Sequence, residues 1–286
     1  MSEQSTQRVI ISDLVKKKEN KEHIIALTAY DFPSAKIVDR AGVDIILVGD
    51  SLGMVVLGYE DTIPVSMDEM IHHTKAVTRG TKRALVVGDM PYMSFQVSKR
   101  DAIKNAFRFI KEAGARAVKI EGASPYRLEI IHALMEADIP VMGHVGLTPQ
   151  SINRIGSFKV RGKDKKEADV IITQAEKLED AGVFSIILEC IPLELARVIT
   201  QRISVPTIGI GAGPFCDGQI LVFHDLLGYS NGYLPKYVKK YVNVNDILIK
   251  AIGDYVNEVS HKKFPLDKHS YHSKTIKKAF KHSMKS

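Results

Sequence analysis

Short apolar runs recur along this chain, and four of them end on an acid: Ile45 to Asp50, Leu85 to Asp89, Val118 to Glu121 and Ile186 to Glu189. Each run is continuous rather than alternating and rich in Val, Ile and Leu, the pattern of a strand buried on both faces in a parallel sheet. Helical periodicity fills the intervals. The pattern predicts strands at Ile24 to Tyr30, Ile45 to Asp50, Ala84 to Asp89, Ala117 to Glu121, Pro140 to Val145, Phe184 to Glu189 and Val205 to Gly211, with a weak eighth at Ile220 to Phe223. It predicts helices from Pro33 to Arg40, from the Ser66 cap to Arg79, from Lys99 to Ala113, and over Tyr126 to Glu136. Further helices are expected at Glu167 to Ala181, Leu193 to Gln201 and Asn245 to Val259, with two long loops at Ser51 to Pro64 and Gly146 to Lys163.

Eight β/α units in this length predict a closed (β/α)₈ TIM barrel. An open doubly wound sheet fits less well, because the first strand ends in Leu27-Thr28-Ala29-Tyr30 with no Gly-rich dinucleotide fingerprint after it. The formal charge of +7 suggests a polyanion partner until it is located. Residues 262–286 carry eight lysines against Asp267, a balance that equals the charge of the whole chain and leaves residues 1–261 formally neutral. The expected organisation is therefore one barrel domain over 1–261 and a flexible basic tail over 262–286, with nucleic acid not expected as a partner.

Two cysteines, Cys190 and Cys216, cannot form a disulfide scaffold and point to reduced thiols in a cytoplasmic setting. No apolar run approaches the roughly 20 residues that span a bilayer, and the first twenty residues lack the apolar segment of a secretory signal.

In a barrel, residues just past the strand ends share one mouth. That rule gathers Asp50, Ser51, Asp89, Lys119, Glu121, His144, Glu189 and the Gly209-Ile210-Gly211-Ala212-Gly213 turn. Carboxylates brought together repel unless neutralised, and a hard divalent cation with oxygen ligands is the simplest neutraliser. Asp50, Asp89 and Glu121 come from three consecutive strand ends and are the candidate metal ligands. Lys119 lies two residues before Glu121, so both project to one face, inward or outward. Facing inward, Lys119 would be a cation for a substrate carboxylate. Glu189, from a distant strand, is the candidate proton acceptor, and His144 a hydrogen-bond donor or acid. The glycines of the turn fit either a phosphate cradle or the close approach of a flat ligand. His72 and His73, adjacent on one helix, are expected at its surface or at an interface.

Several blocks together resemble the ketopantoate hydroxymethyltransferase family. They are Leu27-Thr28-Ala29-Tyr30-Asp31, Val48-Gly49-Asp50-Ser51-Leu52-Gly53, Gly88-Asp89-Met90-Pro91 and Val118-Lys119-Ile120-Glu121-Gly122. The series continues with Gly143-His144-Val145-Gly146-Leu147-Thr148-Pro149-Gln150, the Gly209–Gly213 turn and Cys216-Asp217-Gly218-Gln219. The resemblance implies a barrel of the phosphoenolpyruvate/pyruvate type and one Mg²⁺ per subunit at Asp50, Asp89 and Glu121. It implies keto-acid contacts from Asp50, Ser51, Asp89 and Lys119, and Glu189 as proton acceptor. The implied reaction carries a one-carbon unit from 5,10-methylenetetrahydrofolate to 3-methyl-2-oxobutanoate through a Mg²⁺-stabilised enolate, giving 2-dehydropantoate for pantothenate synthesis, in a homodecamer. The alternative kept open is another Mg²⁺-dependent lyase or aldolase on the same kind of barrel.

Overall fold

The computed structural model describes residues 7–157, 159–229 and 234–280. Eight parallel strands close into a barrel in chain order: β1 Ile24–Thr28, β2 Ile45–Val48, β3 Leu85–Asp89, β4 Ala117–Lys119, β5 Val141–Gly146, β6 Ser185–Glu189, β7 Thr207–Ile210 and β8 Gly218–Leu221. The helices in chain order are α1 Ile11–Glu19, α2 Phe32–Arg40, α3 Leu52–Val55, α4 Met67–Gly80, α5 Lys99–Phe107 and α6 Pro125–Glu136. They continue with α7 Ile152–Ile155, α8 Lys165–Asp180, α9 Leu193–Arg202, α10 Phe223–Leu227, α11 Val244–Ser260 and α12 Lys274–Ala279. The chain is a (β/α)₈ barrel, as its patterning predicts.

Strand alternation divides the apolar residues into two layers. Ile45, Leu47, Leu85, Val87, Ala117, Met142, Ile187 and Ile208 fill the barrel interior. Their neighbours Ile46, Val86, Val118, Ile120, Ile186 and Leu188 pack outward against the helix ring, on residues such as Met70, Phe109, Ile130 and Leu178. With Val118 and Ile120 committed outward, Lys119 and Glu121 must face inward, and both are buried. The lower layers of the interior are mainly aliphatic, with the buried Ser185 an exception, and the charged groups gather where the strands end.

Local chemistry sets the helix starts. Ser66 and Glu69 form a reciprocal cap at α4, with Glu69 N donating to Ser66 Oγ at 3.2 Å and Ser66 N to Glu69 Oε2 at 2.7 Å. Ser98, Ser124 and Asp164 cap α5, α6 and α8 by accepting from the backbone N–H three residues on.

Several elements differ from the pattern-based expectation. Helix α1 precedes the first predicted strand. Its polar run Lys16-Lys17-Lys18-Glu19 hides a single fully buried anchor, Leu14, which joins the interior cluster. Lys17 Nζ meets Asp44 Oδ2 at 2.7 Å, and Lys18 Nζ meets Asp217 Oδ2 at 3.0 Å and the Val205 carbonyl at 3.0 Å, so α1 is tied across the N-terminal end of the barrel. The helix expected over 99–113 changes to a π turn at Arg108–Glu112, which places the Phe109 ring in the space that Gly88 leaves by lacking a side chain. The two long loops contain α3 and α7, and β8 begins two residues before the expected eighth strand. Gly218 explains that offset: a Cβ there would come within 2.5 Å of the Ile24 carbonyl, so only glycine lets β8 close against β1.

Beyond the barrel, α11 has no buried residue and exposes Ile247, Ile249, Ile252, Tyr255 and Val256. The basic segment from Lys262 contains a 3₁₀ turn at Asp267–His269 and the short α12, all of it on the surface; residues 281–286 lie outside the described residues.

Candidate active site

The C-terminal rim of the barrel collects the predicted acids. Pairing of Asp89 with Lys119 across β3 and β4, and of Gly146 with Glu189 across β5 and β6, brings these strand ends to one level. Asp50 lies two residues beyond β2, in the turn into α3, where its backbone N–H donates to Asp89 Oδ2 at 3.2 Å. Lys119 is clamped in the middle. Its Nζ donates to Asp89 Oδ1 at 2.9 Å and Oδ2 at 2.8 Å, and to Glu121 Oε1 at 3.4 Å.

His144 links this group to the other side of the mouth, with Nδ1 3.6 Å from Glu121 Oε1 and Nε2 3.5 Å from Glu189 Oε2. Both separations exceed hydrogen-bond length, and neither ring nitrogen has a partner among the described residues. Glu189 is the most open member, its side chain 16% exposed against 1% for Glu121. Ser51 stands at the edge, its Oγ 2.8 Å from the Tyr30 hydroxyl. Thus all the predicted mouth residues outside the glycine turn converge on one face of the barrel.

The electrostatics are unbalanced. Four carboxyls share one ammonium, and His144 is held neutral, far below its ordinary range, by burial and by the Lys119 charge. Burial and the neighbouring Asp89 push Asp50 up to about 7. Burial pushes Glu121 up to about 7 and, with the Glu121 charge added, Glu189 up to about 8. Asp89 moves in the same direction because of burial, even though Lys119 opposes the shift. For Lys119 burial works against the charge, but Asp89, Glu121 and Asp50 outweigh it and keep the ammonium charged. Such a site has oxygen donors in excess and lacks positive charge, which is the chemistry that a hard cation such as Mg²⁺ satisfies. Among the described residues, no three His, Cys, Asp or Glu side chains are gathered as a complete cation cage.

Sequence reasoning missed two participants. Gln150 is buried, donates from Nε2 to Asp50 Oδ2 at 3.0 Å and to the Met90 carbonyl at 2.9 Å, and donates from its backbone to Glu121 Oε2 at 3.1 Å. Its signal was a polar residue directly after a Pro turn at a strand end. Tyr30 is the other, fixed by its bond to Ser51 and by His73 Nδ1, 2.6 Å from the Tyr30 carbonyl. His73 therefore docks α4 onto the end of β1, while His72 remains on the surface.

The glycine turn after β7 is filled by the protein itself. A Cβ on Gly209 would meet Cys216 Sγ at 2.9 Å, one on Gly211 the Tyr237 ring at 2.7 Å, and one on Gly213 the Leu193 side chain at 2.5 Å. These glycines admit neighbouring side chains, with Gly211 and Gly213 also at positive φ.

Comparison with known proteins identifies the family. Residues 8–267 match the family model described as ketopantoate hydroxymethyltransferase. The chain is 54% identical over 264 residues to the 3-methyl-2-oxobutanoate hydroxymethyltransferase of Syntrophomonas wolfei, covering 92% of this chain and 95% of that one. It is 56% identical to the enzyme of the same name from Thermoanaerobacter sp. strain X514, covering 91% and 96%. Among solved structures, phosphoenolpyruvate phosphomutase from Streptomyces platensis subsp. rosaceus aligns with TM-score 0.59 and 14% identity over 94% of each chain. A 2,3-dimethylmalate lyase of the PEP mutase/isocitrate lyase superfamily aligns with TM-score 0.58 and 17% identity over 91% of each. Those two share the barrel fold. On a family-model match and sequence identity that run through nearly the whole length, the chain belongs to the ketopantoate hydroxymethyltransferase family.

Proposed function

We propose that this hydroxymethyltransferase takes its one-carbon unit from 5,10-methylenetetrahydrofolate, delivers it to C3 of 3-methyl-2-oxobutanoate, and works with one Mg²⁺ per subunit. The observation that carries the reading is the group at the barrel mouth: three buried carboxyls, of which Asp89 and Glu121 hold the single Lys119, with the more open Glu189 beside His144. Asp50 and Asp89 would hold the cation, with Glu121 bound directly or through water; Mg²⁺ typically takes only one or two carboxylates and leaves positions for substrate, so a three-acid cage is not required. When bound, the ion supplies Lewis acidity toward the keto and carboxylate oxygens of the substrate.

The side chains supply the rest. Lys119 carries the positive charge that a keto-acid carboxylate shares with Asp89, and Ser51, oriented by Tyr30, offers a hydroxyl at the rim. Glu189, more open than the other acids and across the mouth from Asp89, takes the C3 proton. The C3 carbon of the resulting enolate bonds to the methylene carbon, both C–N bonds of that carbon break, and the oxygen of a water becomes the product hydroxyl; the two folate nitrogens take up the proton that Glu189 removed and the one the water loses. His144, neutral, lies between Glu121 and Glu189 beyond hydrogen-bond distance of either, and its one ring N–H is available as a donor.

The same reading includes assembly and location. The exposed apolar residues of α11 support a homo-oligomer, a decamer in the family, in which that helix packs on a neighbour. Both cysteines are free and buried, which supports a reducing cytoplasmic setting, and no described helix is long and apolar enough to cross a membrane. The basic segment from Lys262 is outside the chemistry.

The test is product detection with 3-methyl-2-oxobutanoate, methylenetetrahydrofolate and Mg²⁺, each omitted in turn. All three are expected to be required. Product without folate would favour a lyase or aldolase, and full turnover in excess chelator would remove the metal.

A further inference from the structure

Gln150 joins four consecutive strand ends without carrying charge. It follows β5 in the short turn Pro149–Ser151, closed by Ser151 N donating to the Thr148 carbonyl at 2.8 Å. Pro149 has no N–H of its own, and the first free amide of the turn is that of Gln150, which points at Glu121 Oε2 beyond β4. The side chain then reaches Asp50 beyond β2 and the Met90 carbonyl beyond β3. The Met90 carbonyl can only accept, so the amide orientation is fixed with Nε2 toward Asp50 and Met90. That leaves Oε1 buried with no partner among the described residues. A buried acceptor without a donor is costly, and this one belongs to the amide that holds Asp50, where a bound water or ligand can satisfy it.

We propose that Gln150 is a positioning residue: it holds the Asp50 and Glu121 carboxylates in the arrangement that receives the cation and the keto acid, and reserves Oε1 for a water or hydroxyl bound with them. This rests on the functional reading above. A carboxylate on a short side chain rotates easily about its last bond, and a donor on Oδ2 selects which oxygen remains free. An amide suits the place because it donates to a carboxylate and a carbonyl at once. A lysine there would compete with the cation, and a glutamate would add a fifth acid. Partners that orient metal-binding side chains in this way typically change metal affinity by about 10–100-fold.

The test measures Mn²⁺ affinity by the EPR signal of the free ion, in the full chain. Gln150→Met is expected to weaken Mn²⁺ binding about 10–100-fold and to raise the keto-acid KM at limiting metal, with the folate KM unchanged. The discriminating measurement is a double-mutant cycle with Asp50→Asn: if Gln150 acts through Asp50, its effect collapses in that background, whereas a merely structural role gives additive losses and overturns the proposal. Gln150→Asn keeps the amide but draws it back by one methylene, and it should show the same loss in a variant that remains polar if Gln150→Met does not fold. Wild-type affinity in either folded variant would overturn the proposal. Absence of Mn²⁺ binding by the wild-type chain would instead defeat the metal reading itself, and this inference with it.

Discussion

The two ends of the barrel solve the charge problem in opposite ways. At the N-terminal end the buried acids are satisfied: Asp44 meets Lys17 at 2.7 Å and Arg83 at 3.1 Å, Asp217 meets Lys18 at 3.0 Å, and Asp39 accepts from the backbone N–H groups of Lys82, Arg83 and Ala84. Helix α1 lies across that end with Leu14 sunk into the interior. At the C-terminal end four carboxyls share the charge of Lys119, the acids are pushed toward protonation, and buried polar atoms of His144 and Gln150 go without partners among the described residues. Matched charge closes and stabilises. Unmatched charge is retained at a cost in stability, and its location is where we propose the chemistry.

The largest break in this comparison comes from Glu189→Gln, which keeps shape and removes the proposed base. It should fold and bind keto acid, yet lose about 10²–10⁴-fold in C3 proton exchange of 3-methyl-2-oxobutanoate, followed as deuterium uptake by NMR. Exchange near the wild-type rate would transfer the role to His144.

A second test compares the ends through pH. Asp50, Glu121 and Glu189 have folded-state values of about 7, 7 and 8, above the ordinary carboxyl range, so the folded chain holds protons that the unfolded chain releases. Stability contributed by those protons is present at low pH and lost as pH rises from about 4 toward 8. Without divalent cation, Tm should fall across that window, and Mg²⁺ should reduce the fall. A flat Tm profile would mean that the mouth acids are ionised throughout.

At the closed end, Lys18→Met removes the donor shared by Asp217 and two carbonyls. It should cost about 1–3 kcal/mol, read as a Tm lowered by several degrees, while kcat/KM changes less than twofold. A larger loss of turnover than of stability would show that α1 communicates with the mouth. The smallest effect is expected from ending the chain after His261, which removes a basic segment whose described residues lie at the surface. Turnover should remain, and its loss from a soluble, folded protein would place that segment at an active site, perforce a neighbour's if its own is out of reach.

The alternation of buried runs and helical periods was legible because each strand is covered on both faces, so its apolar residues need not alternate. The strand-end acids were legible for the same reason: a carboxylate closing a buried run is conspicuous. Residue order alone could not say whether Lys119 or Val118 faces inward, since either parity satisfies a strand with apolar neighbours. Closure of the sheet decided it, by giving the helix ring to Val118 and Ile120. Tertiary structure also decided α1, whose single buried anchor gives too weak a local signal, and Gln150, whose partners lie 29, 60 and 100 residues away. It reassigned the glycine turn as well, because whether a glycine admits a ligand or a neighbour such as Tyr237 depends on what the rest of the chain brings to it. Local sequence determines which elements form and which groups reach the rim. Which of those groups meet, and which are left unpaired, follows only from closing the barrel.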